Sequence, residues 1–244
     1  MSGAGYNWAE VHMYYGQKYN THIRELVRRN AEHCDSLESF FIMHSMGGGT
    51  GSGLGTAVLK MLADEFQDVH RFVVAVYPSA DDDVITSPYN AVLAQRQLTD
   101  FADCVIPIDN QSLVNIVNRV ESHSTSSSSK TFASNTRKLD PSKVISTGGN
   151  IISSVNTTHA QRKCEKPFDS MNNIVANMLL NLTSSSRFEG SLNVDLNEIT
   201  MNLVPFPRLH YLISSLSPLY INEQVNLQVR GIEQMFSDSF KPEN

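Results

Sequence analysis

The stretch Met46-Gly47-Gly48-Gly49-Thr50-Gly51-Ser52-Gly53-Leu54-Gly55 constrains this chain more than any other. It sits between the apolar run Phe40-Phe41-Ile42-Met43 and a segment, Thr56 to Phe66, with the spacing of a helix. Apolar segments on both sides argue against a free linker and for a turn gripped between a strand and a helix. Glycines let the backbone turn sharply and bring N–H groups close to a bound anion with no side chain in the way. The helix start behind the turn adds a favourable dipole and free donors. Thr50 and Ser52 add hydroxyls. The expectation is a phosphate-binding loop.

Three common versions of such a loop are excluded. A Walker A loop needs Lys after the last glycine of GxxxxG, and here Leu54 follows Gly53. The dinucleotide pattern GxGxxG fails because Leu54 follows Gly49-x-Gly51 at the third glycine position and Thr56 follows Gly51-x-Gly53. A nucleophile elbow around Ser52 would need glycine where Thr50 stands.

The rest of the chain supplies the frame. An amphipathic helix is predicted from Tyr19, with Ile23, Leu26, Val27 and Ala31 on one face. Phe72 to Tyr77, stopped by Pro78, and Cys104-Val105-Ile106 read as buried strands, with helices over Tyr89 to Leu98 and Gln111 to Val120. Short apolar strands alternating with helices predict an α/β fold with a parallel sheet covered on both faces. The composition then turns to Ser, Thr, Asn and Lys over 121–166. Such a stretch cannot bury enough apolar surface to offset its ordering entropy, so a disordered surface insertion is expected. Over 167–187 a helix with Ile174, Val175, Met178, Leu179 and Leu182, apolar on most sides, is expected to be a central core helix. The remainder, 188–244, opens with a short polar helix, continues through Pro205-Phe206-Pro207 and the alternating segment Leu209 to Ile213, and ends in a helix from Gln234.

Composition narrows the function classes. A net charge of -6 gives no basic surface for nucleic acid. No apolar run approaches the roughly 20 residues of a membrane helix, and no charged-then-apolar leader opens the sequence. Three separated cysteines without a CxxC pair predict reduced thiols in a cytosolic setting, and eight scattered histidines predict no metal site.

The glycine stretch, GGGTGSG, resembles the signature of the tubulin family, and other segments match in the family's order. Ser2-Gly3-Ala4-Gly5-Tyr6-Asn7-Trp8-Ala9 is similar to the family's loop that faces the terminal phosphate, with Gly3, Ala4, Gly5 and Asn7 as its contacts. Gly47, Gly48, Gly49, Thr50, Gly51 and Ser52 correspond to the signature loop itself. Asp83, in the segment running to Tyr89-Asn90, is similar to the ribose-contacting loop, although Ser87 stands where alpha- and beta-tubulin have Glu. Asn110 matches the guanine-reading asparagine. Phe168 and Asn172, four apart, match the base-stacking aromatic and a second base-reading asparagine. An asparagine offers both donor and acceptor, so two of them can read guanine's edge. Val204 to His210 is a further match, and the resemblance covers nearly all of the chain except the insertion.

The resemblance implies a Rossmann-like tubulin GTPase domain over 1–120, then the insertion, the core helix and the start of an α+β intermediate domain. It implies GTP/GDP as ligand with Mg2+ on the phosphates. Within the family, the insertion and the segments Asp109 to Leu113 and Asn172 to Asn177 resemble the epsilon branch. That branch implies other tubulin subunits and centriolar or microtubule proteins as partners, at the cytoskeleton, centrosome, centriole and basal body. The family's first strand and its earlier loops are not among these residues, so an uncovered sheet edge is expected.

Asp195 and Glu198 are two carboxylates three apart, able on a helix to share a face and to position a water. On composition alone a solvated acidic face is the better reading. The resemblance implies instead that this loop reaches the nucleotide of the next subunit, with Glu198 as the catalytic acid, Asp195 assisting, and hydrolysis completed in trans. A second reading stays open: an interaction protein of the same fold with weak or no nucleotide binding.

Overall fold

The computed structural model describes residues 5–79, 84–120, 168–191, 194–217 and 231–241. Three strands, β1 (Ser39–Ser45), β2 (His70–Tyr77) and β3 (Cys104–Asp109), form a parallel sheet in the order β1-β2-β3. The register pairs Ser45 with Val76 and Tyr77 with Asp109, so the strands end nearly level. Val105 also bridges to Tyr211, whose neighbours His210 and Leu212 exchange backbone hydrogen bonds with Val105 at 2.8 Å. The 209–213 segment thereby borders β3, while β1 has no partner on its other side among the described residues.

Both faces of the sheet are covered, as apolar strands without alternation require. On one face Val73, Ala75 and Val105 pack with Trp8, Leu59, Ala94 and Leu98. These come from α1 (Trp8–Glu10), α3 (Gly49–Glu65) and α4 (Ser87–Phe101). On the other, Phe72, Val74, Cys104 and Ile106 meet Leu196 and the stripe Val175, Met178, Leu179 and Leu182. That stripe lies on α6 (Asp169–Leu182), which follows α5, a helix over 110–120. Each fully buried Val, Leu or Phe side chain contributes about 1.5–3 kcal/mol relative to exposure. The expected α/β sheet with helices on both faces is the observed one.

Three elements differ from the sequence reading. The first helix does not begin at Tyr19: α1 leads through a π turn, Val11–Tyr15, directly into α2 (Gly16–Glu32). Helix α3 begins at Gly49, not Thr56, with Gly48 as its N-cap. Glycine costs about 1 kcal/mol against alanine inside a helix, which is why the stretch reads as loop. Packing overrides that preference. A Cβ at Gly49 or Gly53 would meet Asn7, Trp8 or Val11 of the first helix, and one at Gly51 or Gly55 would meet Ser45 or His44 of β1. Helix α6 is not enclosed on all sides: Met171 and Ile174 are buried, and Leu180 is half exposed. Its apolar stripe faces the sheet.

The chain continues through α7 (Ser184–Arg187), α8 (Leu196–Leu203) and α9 (Ile232–Ser239). The expected insertion over 121–166 lies outside the described residues. No described helix is long and apolar enough to cross a membrane. Cys34 and Cys104 are free thiols, and burial, then Asp103, pushes the Cys104 pKa up to about 11.

Candidate functional site

Ligands of open parallel sheets bind outside the carboxyl ends of the strands, where the loops to the following helices open. Here those loops are the Met46–Gly48 turn after β1, the segment after β2, and the short step from β3 into α5. The first is fixed to the sheet because the Met46 amide donates to the Val76 carbonyl at 2.8 Å. With Gly48 extended (φ -83°, ψ 164°), α3 starts at once. The first intrahelical bond runs from the Ser52 amide to the Gly48 carbonyl, so the amides of Gly49, Thr50 and Gly51 precede it. Ser52 is fully buried and its hydroxyl donates to the Gly48 carbonyl, whereas Thr50 is exposed. The backbone and Thr50 therefore offer the donors at this helix start.

A second turn lies against the first. Gly5 (φ 56°) and Tyr6 (φ 53°) are both left-handed, a conformation that costs a non-glycine residue about 1 kcal/mol or more. Asn7 caps α1 by accepting the Ala9 amide at 3.0 Å. The position a Cβ would take on Gly49 is 2.7 Å from the Asn7 nitrogen, so the two turns touch. Asn90 binds them together. Its Oδ1 accepts the Trp8 amide at 3.0 Å, and its Nδ2 donates to the carbonyls of Tyr6 at 2.8 Å and Gly47 at 3.0 Å. Thr86 donates a further bond to the Tyr6 carbonyl at 3.0 Å. Sequence reading noted Asn90 only as part of the ribose-loop segment. Its buried carboxamide became informative only when the fold surrounded it.

Behind the turns, Trp8 stacks on His12 at 4.4 Å and donates its indole N–H to Thr56 at 3.2 Å. His12 Nδ1 lies 3.0 Å from the same hydroxyl and 3.2 Å from the Gly53 carbonyl. Burial chiefly holds the His12 pKa below its ordinary value, against the backbone bond that raises it.

At the end of β3, Asp109 caps α5 by accepting the amides of Gln111 and Ser112 at 3.2 Å. Asn110 is thus the first helical residue and is relieved of the capping role. Phe168 is not on α6 but is its N-cap, left-handed at φ 77°, and the residue is 60% exposed. The Asn172 amide donates to the Phe168 carbonyl at 2.8 Å, and Asn172 is exposed on the first turn. A cleft of about 540 Å3 between β3, α5 and α6, lined by Ile108, Asp109, Ile174 and Val175, adjoins these residues and does not include the glycine turn. Gly3, Ala4 and Asp83 lie outside the described residues.

Asp195 and Glu198 stand elsewhere. Helix α6 runs from Ile174 and Val175 beside Ile108 and Asp109 to Leu182 beside Phe72 and Cys104, crossing the sheet from carboxyl to amino end. Helix α8 follows at that amino end, with Thr200 and Met201 beside His70 and Asp103. Asp195 is the N-cap of α8, Glu198 lies in its first turn, and both are exposed. The 14 residues of α6 span roughly 20 Å and the 8 of β2 roughly 25 Å, which separates these carboxylates from the glycine turn. Among the described residues no three potential metal-ligating side chains gather.

Residues 1–118 match the family model described as Tubulin/FtsZ family, GTPase domain. All 244 residues align with the tubulin epsilon chain of Homo sapiens at 55% identity, covering 48% of that protein. The tubulin epsilon chain of Mus musculus matches at 54% over the same share, and the tubulin beta chain of Porphyra purpurea at 34%, covering 45%. The chain spans about half the length of the curated relatives it matches.

Proposed function

This chain belongs to the tubulin/FtsZ family and is similar to tubulin epsilon chains, and from that premise we propose that it is a GTP-binding cytoskeletal subunit whose hydrolysis is completed between subunits. The supporting observation is the division of the chemistry between the two ends of one sheet. Anion donors gather at the carboxyl end, and the exposed Asp195 and Glu198 lie at the amino end. Side chains roughly 20 Å apart cannot act on the same phosphate. A head-to-tail neighbour would bring the two ends together.

The carboxyl-end turns fit a polyphosphate. Among the described residues, Gly48 has only the Ser45 hydroxyl near its missing Cβ, at 4.0 Å, and Gly5 has nothing within 4 Å, which leaves room for a ligand against both turns in this reading. The amides of Gly49, Thr50 and Gly51 would meet phosphate oxygens, aided by the α3 dipole. Asn110 and Asn172 would read guanine, with Phe168 stacked on the base; its strained backbone is the kind of cost that persists at binding sites. Gly3, Ala4, Asn7 and Asp83 complete the contacts in this reading. Mg2+, when bound with the phosphates, supplies charge neutralisation, and no side chain of this chain is assigned to it. At the subunit contact Glu198 would orient the attacking water toward the neighbour's terminal phosphate, with Asp195 beside it. The centrosome, centriole and basal body as location, and centriolar proteins as partners, rest on the epsilon resemblance.

The test is calorimetric titration of the 244-residue chain with GTP in Mg2+, with ATP as control. Saturable binding of GTP and none of ATP is expected. A folded chain that binds neither nucleotide would overturn the reading and leave an interaction protein of tubulin fold.

A further inference from the structure

We propose that the buried carboxamide of Asn90 is a positioning group for the terminal phosphate, locking the 5–7 turn and the Gly47–Gly48 turn into one anion-facing surface. The proposal rests on the reading that GTP binds at these turns. Asn90 is 3% exposed and lies in the first turn of α4, far in sequence from everything it holds. Its three bonds reach Trp8, Tyr6 and Gly47, using both N–H groups and one side of its oxygen. A hydrophobic residue in its place would leave the buried Trp8 amide without its acceptor and the half-buried Gly47 carbonyl without this donor, and would leave Thr86 alone on the Tyr6 carbonyl.

The geometry explains why this carboxamide bears on a ligand and not only on stability. The Tyr6 turn is in a strained left-handed conformation, and such backbone persists only where its surroundings hold it. Asn90 and Thr86 both donate to the Tyr6 carbonyl, and that carbonyl is the handle by which the turn is pressed onto α3. The close approach of Gly49 to Asn7 and Tyr6 leaves no slack: relaxation of the 5–7 turn would move it relative to the free amides of Gly49 to Gly51. Amides preorganised around a polyanion lose binding most where charge is densest, at the outermost phosphate. GTP binding therefore depends on Asn90 more than GDP binding does.

Dissociation constants for GTP and GDP are measured by calorimetry on the wild-type chain, Asn90→Ala and Thr86→Val, with thermal unfolding recorded without nucleotide. Thr86 is exposed, so Thr86→Val removes one grip on Tyr6 without opening a buried site. We expect Asn90→Ala to weaken GTP about tenfold more than GDP, and Thr86→Val to shift the same ratio less, about threefold, with unfolding unchanged. Equal losses for GTP and GDP, or a lower unfolding temperature with an unchanged ratio, would make Asn90 a structural residue only. If Asn90→Ala does not fold, an unchanged ratio in Thr86→Val overturns the proposal by itself. If the wild-type chain binds neither nucleotide, the reading of the site falls, and the role of Asn90 with it.

Discussion

At Gly51 two effects of opposite sign compete. Alanine in a helix interior is favoured over glycine by about 1 kcal/mol. A Cβ at Gly51, however, would lie 2.6 Å from the Ser45 hydroxyl and 2.7 Å from its carbonyl oxygen, and backbone cannot swing aside as a flexible side chain can. Overpacking of this kind costs about 1–3 kcal/mol, so the clash wins. Gly51→Ala is expected to lower the urea midpoint with an unchanged slope, a net loss of up to about 2 kcal/mol. A raised midpoint would mean that α3 and β1 separate easily. The glycine signature was legible as a turn, but four of its six glycines, Gly49, Gly51, Gly53 and Gly55, serve the approach of α3 to its neighbours. Residue spacing carries no record of what lies across the interface, so that second role stayed hidden. Asn90 was hidden for the same reason, because its partners are tens of residues away.

Elements are joined here by histidines whose burial disfavours the charged form. His12 ties the first helix to α3, His44 packs its ring against Gly55, and His210 places Nε2 3.2 Å from the Leu98 carbonyl, joining the β3-bordering segment to α4. Burial lowers the pKa of all three. Lys60 lowers His12 further, whereas Asp103 and the Leu98 bond oppose the shift at His210. The unfolded chain therefore takes up protons first as pH falls, from the ordinary histidine value of about 6.5. Stability is full above that value and is lost progressively as pH drops toward the folded pKa values. The unfolding temperature is expected to fall between pH 7.5 and 5.5, and His210→Gln to shrink that fall. A flat profile would show that these rings protonate without disturbing their contacts. Strands were legible from apolar runs, with β2 beginning two residues earlier than read. Helix starts were less legible, because a π turn and a glycine-rich first turn have little local propensity to announce them.

For the whole molecule, the decisive quantity is the length of α6. It crosses the sheet and leaves the carboxylates at the end opposite the glycine turn. Glu198→Ala is expected to leave GTP affinity unchanged and to abolish hydrolysis on assembly. In wild-type chain the rate is expected to rise more steeply than protein concentration, as a reaction completed between subunits requires. A rate proportional to concentration, or GTP affinity lost in Glu198→Ala, would remove the in-trans role. The sequence alone determined the α/β class, the glycine turn and the family, because apolar periodicity and a dense glycine motif are local properties. It also carried the two carboxylates as a pair. Only the tertiary structure decided that α3 starts inside the glycine motif, that Asn90 binds two turns together, and that the pair stands at the end of the sheet opposite the glycine turn. Those outcomes depend on distances between segments far apart in the chain, which packing sets and local sequence does not.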